Sequence, residues 1–158
     1  MATQLSTHFT LEELIHTDTG FPNNPNELQR QRLGHLANYA LERVRNSFGG
    51  PIKINSGFRS PEVNDAVSGS KTSAHLRGDA ADIVPTGLDI TLAYKIAMAD
   101  LGLDYDQIIW EAHGVRGGLT RWIHVGLAAV DGTARRQQLI YSPKTLGKYL
   151  PFNEEYVL

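Results

Sequence analysis

The sequence predicts an α+β fold: a small antiparallel sheet packed with helices, in one domain spanning residues 1–158. Three observations carry that prediction. Two segments repeat apolar residues at steps of three and four, the helical period. Several shorter segments have strand character, and two of them are separated only by a Gly-rich stretch, which suggests an antiparallel hairpin. Helical and strand segments follow one another in mixed order rather than as regular βαβ units. A chain of 158 residues has room for one core and little more.

Taken in order, Thr10-Leu-Glu-Glu13 reads as a capping box opening a short helix whose apolar side is Leu11, Leu14 and Ile15. Gly20 to Pro25, with two prolines and two asparagines, is a turn-rich connector. Leu33, Leu36, Ala37, Ala40, Leu41, Val44 and Phe48 then mark a long amphipathic helix closed by Gly49-Gly50. Pro51 to Asn55 is a strand, and Ser56-Gly-Phe-Arg-Ser60 leaves it as a loop. Ser60-Pro61-Glu62 supplies an N-cap, a proline at the first helical position and an acid in the first turn, for a short helix that Ser68-Gly-Ser70 ends. Asp79 to Val84 is a strand, and Asp89 to Leu101 a helix closed by Gly102. Gln107 to Glu111 and Arg121 to Leu127 form the hairpin. The tail holds an apolar Leu139-Ile-Tyr141 and a Pro143 to Pro151 segment with no clear period.

Composition narrows the chemistry. Fifteen Lys and Arg against seventeen Asp and Glu give a net charge of -2, without the basic excess that nucleic acid or anionic lipid would call for. The chain has no cysteine, which excludes disulfide scaffolds, thiolate metal sites and cysteine nucleophiles. Metal binding therefore falls to six His and the carboxylates. The opening ten residues have neither a basic nor an apolar region, and no stretch nears the roughly 20 apolar residues that span a bilayer. The expectation is a monomeric, soluble chain without a signal peptide, made in the cytoplasm and reaching any outside target only after release.

The densest polar cluster is Ser73-Ala-His-Leu-Arg-Gly-Asp-Ala-Ala-Asp82. On one continuous helix His75 and Asp82 would stand about 10.5 Å apart, too far to share an ion. If His75 instead lies on a loop folded over a strand beginning near Asp79, the two side chains converge. Ala80, Asp82 and Val84 then share one face of that strand, and the small Ala80 leaves space beside Asp82. In Trp122-Ile-His-Val-Gly-Leu127 the aliphatic Ile123, Val125 and Leu127 share one face, and Trp122, His124 and Gly126 the other. His124 is thus the natural third ligand. Two His and a carboxylate form a catalytic zinc set with the fourth position left to water. Each residue alone would read as a satisfied structural group; the three together favour a metal.

With these residues in place, the chain resembles the zinc D,D-peptidases, which include D-Ala-D-Ala carboxypeptidases, VanX- and VanY-type enzymes and phage L-alanyl-D-glutamate endolysins. The resemblance rests on Ser73-x-His75-x-x-Gly78-x-Ala80-x-Asp82 and the downstream Trp122-Ile-His124-Val125. Ser56-Gly-Phe-Arg-Ser60 and Phe9-Thr-Leu-Glu-Glu-Leu14 also match its short, single-domain branch. It covers about Phe9 to Leu127 and implies a hedgehog/D,D-peptidase-like fold with His75, Asp82 and His124 on Zn2+. It further implies a peptidoglycan peptide substrate, with L-alanyl-D-glutamate endopeptidase or D-Ala-D-Ala carboxypeptidase activity. The alternative is a non-catalytic, zinc-retaining binding or virion module of the same fold.

VanX-type members carry Glu three residues before the final His, where this chain has Arg121. Glu111, at the end of the first hairpin strand, is the nearest replacement as general base. His113 and Asp79 are weaker candidates, and the competing role for Glu111 is a surface salt bridge to Arg116 or Arg121. By the same resemblance Arg59 offers a charged fork to a substrate carboxylate or a developing oxyanion, and Ser73 either contacts substrate or orients the His75 loop. Arg77 reads as solvated. Trp110 and Trp122 could line a groove, although aromatic residues in strands more often enter the core.

Overall fold

The computed structural model describes residues 2–100 and 104–158. Its centre is a mixed sheet made of β1 (Ile52–Ser56), β2 (Ala80–Pro85), β3 (Tyr105–Val115), β4 (Gly118–Leu127), β5 (Gln137–Tyr141) and β6 (Leu150–Pro151), in the order β1-β2-β4-β3-β5-β6. The α+β class is as expected. Four of the five pairings are antiparallel, but β5 runs parallel to β3, from Gln107↔Gln137 to Glu111↔Tyr141. The apolar Leu139-Ile-Tyr141 announces a strand but carries no information about its direction. Direction is set by the return of the chain from the end of β4 to the start of β3, a long-range event.

The β3–β4 hairpin is longer than expected. Its ladder runs out to Val115↔Gly118, so the Gly-rich stretch is mostly strand, with Arg116 and Gly117 alone in the turn and Gly117 at φ +92°. Asn55 is the extra residue where the β1–β2 register shifts between Ile54 and Ser56.

The helices are α1 (Leu11–Ile15), α2 (Glu27–Leu36), α3 (Glu42–Phe48), α4 (Pro61–Ala66) and α5 (Ile90–Asp100). Thr10 and Glu13 form the expected capping box on α1. The long amphipathic helix is α2 and α3 joined by a π-helical turn at Ala37–Leu41, and it ends at Gly49 in the left-handed conformation. It starts earlier than its apolar stripe, at a second capping box formed by Asn26 and Gln29. Ser60 caps α4 by accepting from the Val63 N–H, with Pro61 at the first position. Leu101 and Gly102, expected to close α5, lie outside the described residues. No helix among the described residues is long and apolar enough to cross a membrane.

The core lies on one face of the sheet. Ala81 and Ile83 of β2, Ile123, Val125 and Leu127 of β4, Ile108, Trp110 and Ala112 of β3 and Ile140 of β5 pack against Leu33, Leu36, Leu41 and Val44 of the long helix and Ala93, Tyr94 and Ala97 of α5. Trp110 is fully buried there and donates its indole N–H to Thr91 Oγ1. The alternate residues of the same strands face the other way, into an open groove of about 1050 Å³.

Candidate active site

Three elements meet at the head of that groove. His75 sits on a 3-10 turn (Ala74–Arg77), Asp82 on β2 and His124 on β4, where Asp82 and His124 are direct cross-strand partners. The turn folds back over the sheet because Gly78, at φ +80°, takes the left-handed position that ends it. A Cβ at Gly78 would also come 2.7 Å from the Gln29 carbonyl, so that site is closed to other residues twice over. The pair Ala80↔Gly126 lies next along the ladder. A Cβ at Gly126 would stand 2.9 Å from His124 Nε2, so this glycine makes room for the imidazole.

All three side chains are buried, and one ligand atom from each falls within 4.8 Å of the others. Asp82 Oδ1 is their meeting point: His124 Nδ1 lies 3.1 Å away and His75 Nε2 3.3 Å. The other nitrogen of His75 donates to the Gly57 carbonyl at 2.7 Å, which fixes the tautomer with Nε2 unprotonated. Nε2 is then a buried polar atom with no hydrogen-bond partner. A buried lone pair, a carboxylate oxygen and a second imidazole nitrogen facing one point form a donor set that fits a cation.

The charge states agree with that fit. Burial pushes the His75 imidazole below its ordinary value, against the pull of Asp82, and so favours the neutral, ligating form. Burial also works against the charge on Asp82. The nearby His75 imidazole and a hydrogen bond from His124 Nδ1 outweigh it, holding the carboxyl well below the usual range.

Arg59 is tied down on three sides. Its Nε donates to Ser56 Oγ (2.9 Å), Nη1 to Asn64 Oδ1 (3.2 Å) and Nη2 to Asp82 Oδ2 (3.0 Å). It lines the groove, but its first engagement is with the proposed ligand rather than with an incoming carboxylate. Its loop is pinned from behind by Asn23, in the turn-rich connector, which donates to the Ile15 and Phe58 carbonyls and accepts from the Ser60 N–H. Ser73 Oγ accepts from the His75 N–H at 3.2 Å. Of its two expected roles, the geometry engages it in orienting the His75 turn.

Glu111 lies on the groove face of β3, two residues beyond Ile109, which pairs with His124. It is buried, and among the described residues its side-chain partner is His113 Nε2, 2.7 Å from Oε2. Arg121 instead reaches the Leu158 carbonyl. Asp79, the other candidate base, is bound by Arg32 Nε (2.6 Å) and Arg77 Nε (2.9 Å) and does not line the groove. Arg77, read as solvated, is thus partly committed to Asp79. The two tryptophans divide: Trp110 enters the core, and Trp122 lines the groove.

Two aromatic residues beside the site had no functional signal in the sequence. Tyr141 on β5 and Tyr149 just before β6 come from the tail, and their rings lie 4.9 Å apart. Burial, then the negative charge of Glu111, raises the Tyr149 phenol above its ordinary value, leaving it a hydrogen-bond donor at the groove wall.

Residues 7–126 match the family model described as Peptidase M15. No curated protein matches the chain.

Proposed function

The chain belongs to the Peptidase M15 family, and from that premise we propose that it is a zinc-dependent peptidase hydrolysing the stem peptides of bacterial peptidoglycan. The observation that supports this reading most is the orphaned Nε2 of His75, aimed with His124 Nδ1 at one oxygen of Asp82. A buried unpaired polar atom costs on the order of 1–3 kcal/mol, and a shared cation removes that cost. When bound, zinc acts as a Lewis acid on a carbonyl and acidifies water.

In this reading His75, Asp82 and His124 hold the ion. Arg59 fixes Asp82 through Oδ2, and Ser73 and the Gly57 carbonyl set the His75 ring. Glu111, buried and facing the groove, accepts a proton from the attacking water and passes it to the departing amine. The finer reading is an endolysin-type enzyme formed by residues 1–158, acting after release from the cell that makes it. It would cut L-alanyl-D-glutamate as an endopeptidase or D-Ala-D-Ala as a carboxypeptidase.

The test joins metal content to product analysis. The purified chain should carry about one zinc, as a three-ligand site implies, and His75→Ala with His124→Ala should reduce it to background. Digestion of Gram-negative peptidoglycan should release fragments whose masses identify the bond cut. Zinc retained by the double variant would overturn the ligand assignment. Stoichiometric zinc without any released fragment would overturn the enzyme in favour of a non-catalytic module.

A further inference from the structure

His113 does more in this structure than neighbour Glu111. Its ring lies between Trp122 (centroids 4.6 Å apart, planes at 4°) and Tyr141 (4.6 Å, 19°), with Tyr149 tilted against Tyr141 at 40°. Covered on both faces, an imidazole can slide only in its own plane, and in that plane its Nε2 meets Glu111 Oε2 at 2.7 Å. Glu111 and His113 are two apart on β3, so the strand itself puts both on the groove face. The stack draws on three strands: Trp122 from β4, His113 from β3 and Tyr141 from β5. Tyr141 and Tyr149 both lie beyond residue 126, outside the stretch that matches the family. The tail of this chain therefore completes the clamp.

We propose that His113 is a positioning residue for the reaction, its Nε2–H donated to Glu111 and its ring held between Trp122 and Tyr141, so that the Glu111 carboxylate is kept turned into the groove. A glutamate otherwise has several rotamers, and one fixed donor selects among them before substrate arrives. The inference rests on the reading of Glu111 as the base.

The test separates the donor from the stack. His113→Phe keeps a flat ring between Trp122 and Tyr141 but removes the N–H. On a soluble muropeptide cut by the wild type, kcat should fall about 10- to 100-fold with KM and zinc content unchanged. His113→Gln, whose amide nitrogen falls near the position of Nε2, should recover much of that loss. Wild-type kcat in His113→Phe, or no recovery in His113→Gln, would overturn the proposal. A rise in KM at constant kcat would also overturn it, since it would make His113 a substrate platform. Should His113→Phe not fold, His113→Gln against His113→Asn, whose amide is too short to reach Glu111, decides the matter in the same way. Imidazole nitrogen NMR gives a readout independent of turnover. The His113 Nε2–H signal should move in Glu111→Gln, and an unmoved signal means the contact is absent. Wild-type kcat in Glu111→Gln would instead remove the base reading itself, a result distinguishable from failure at His113.

Discussion

Along β4, Ile123, Val125 and Leu127 enter the helix-packed core, while Trp122, His124 and Gly126 face the groove. The same alternation on β3 sends Ile108, Trp110 and Ala112 inward and Ile109, Glu111 and His113 outward. The two faces share every backbone hydrogen bond yet are built on different rules. The core face is apolar and needs only shape and volume. The groove face, by contrast, is built from polar pairings: His75 on Gly57, Arg59 on Asp82, Asn64 and Ser56, Glu111 on His113. It also holds the two buried side-chain atoms that lack a partner among the described residues, His75 Nε2 and Trp122 Nε1. Stability and chemistry are thus separated by the parity of residue number. A one-residue slip of β4 would exchange them.

Substitutions chosen by face should separate accordingly. The largest effect is expected at Glu111. Glu111→Gln should lower muropeptide turnover by about 10² to 10⁴-fold while zinc content and the unfolding midpoint hold, because it removes a proton acceptor and keeps the shape. Near-wild-type turnover would pass the base role to another groove residue.

Next come the two tryptophans, one on each face. Trp110→Ala opens a cavity in the core and should cost about 3–5 kcal/mol in denaturant unfolding. Trp122→Ala should cost much less stability and act on kcat, by freeing one face of His113. Equal losses of stability would show that the faces are not separable in this way.

The smallest of the three is expected at Arg59. Lysine keeps the charge but cannot span Asp82, Asn64 and Ser56 together. Arg59→Lys should weaken zinc affinity or turnover about 10- to 100-fold, as loss of a partner behind a metal ligand generally does. Competition with a fluorescent chelator measures the first. Unchanged zinc affinity and unchanged turnover together would remove Arg59 from the site.

Much of this was legible in the sequence because its signals are local. The capping box at Thr10, the N-cap at Ser60 and the helix-ending glycine at 49 each act within one or two turns. The convergence of His75, Asp82 and His124 could be read from a two-residue period and a loop folded over a strand beginning near Asp79. What was not legible depends on distant pairing. The parallel direction of β5, and with it the position of Tyr141 against His113, follows from how the chain returns after β4, which no local pattern encodes. Asn23 looked like a turn residue and is one, yet it also ties α1 to the Arg59 loop, reaching Phe58 thirty-five residues on. Arg59 itself carried a resemblance to a substrate-binding residue, while its contacts to Asp82, Asn64 and Ser56 appear only in three dimensions.

The outermost strands carry a consequence of a different kind. A sheet with open edges invites other chains to add to it, and such edges seed aggregation. Here one edge is β6, two residues long and ending in Pro151, which has no N–H to offer. The other is β1, preceded by Pro51, bulged at Asn55 and carrying the exposed Lys53. Neither presents a long, flat, apolar template. A concentrated solution of this chain should therefore resist growth of intermolecular β-structure at its sheet edges, even though the same sheet leaves a broad groove open on one face.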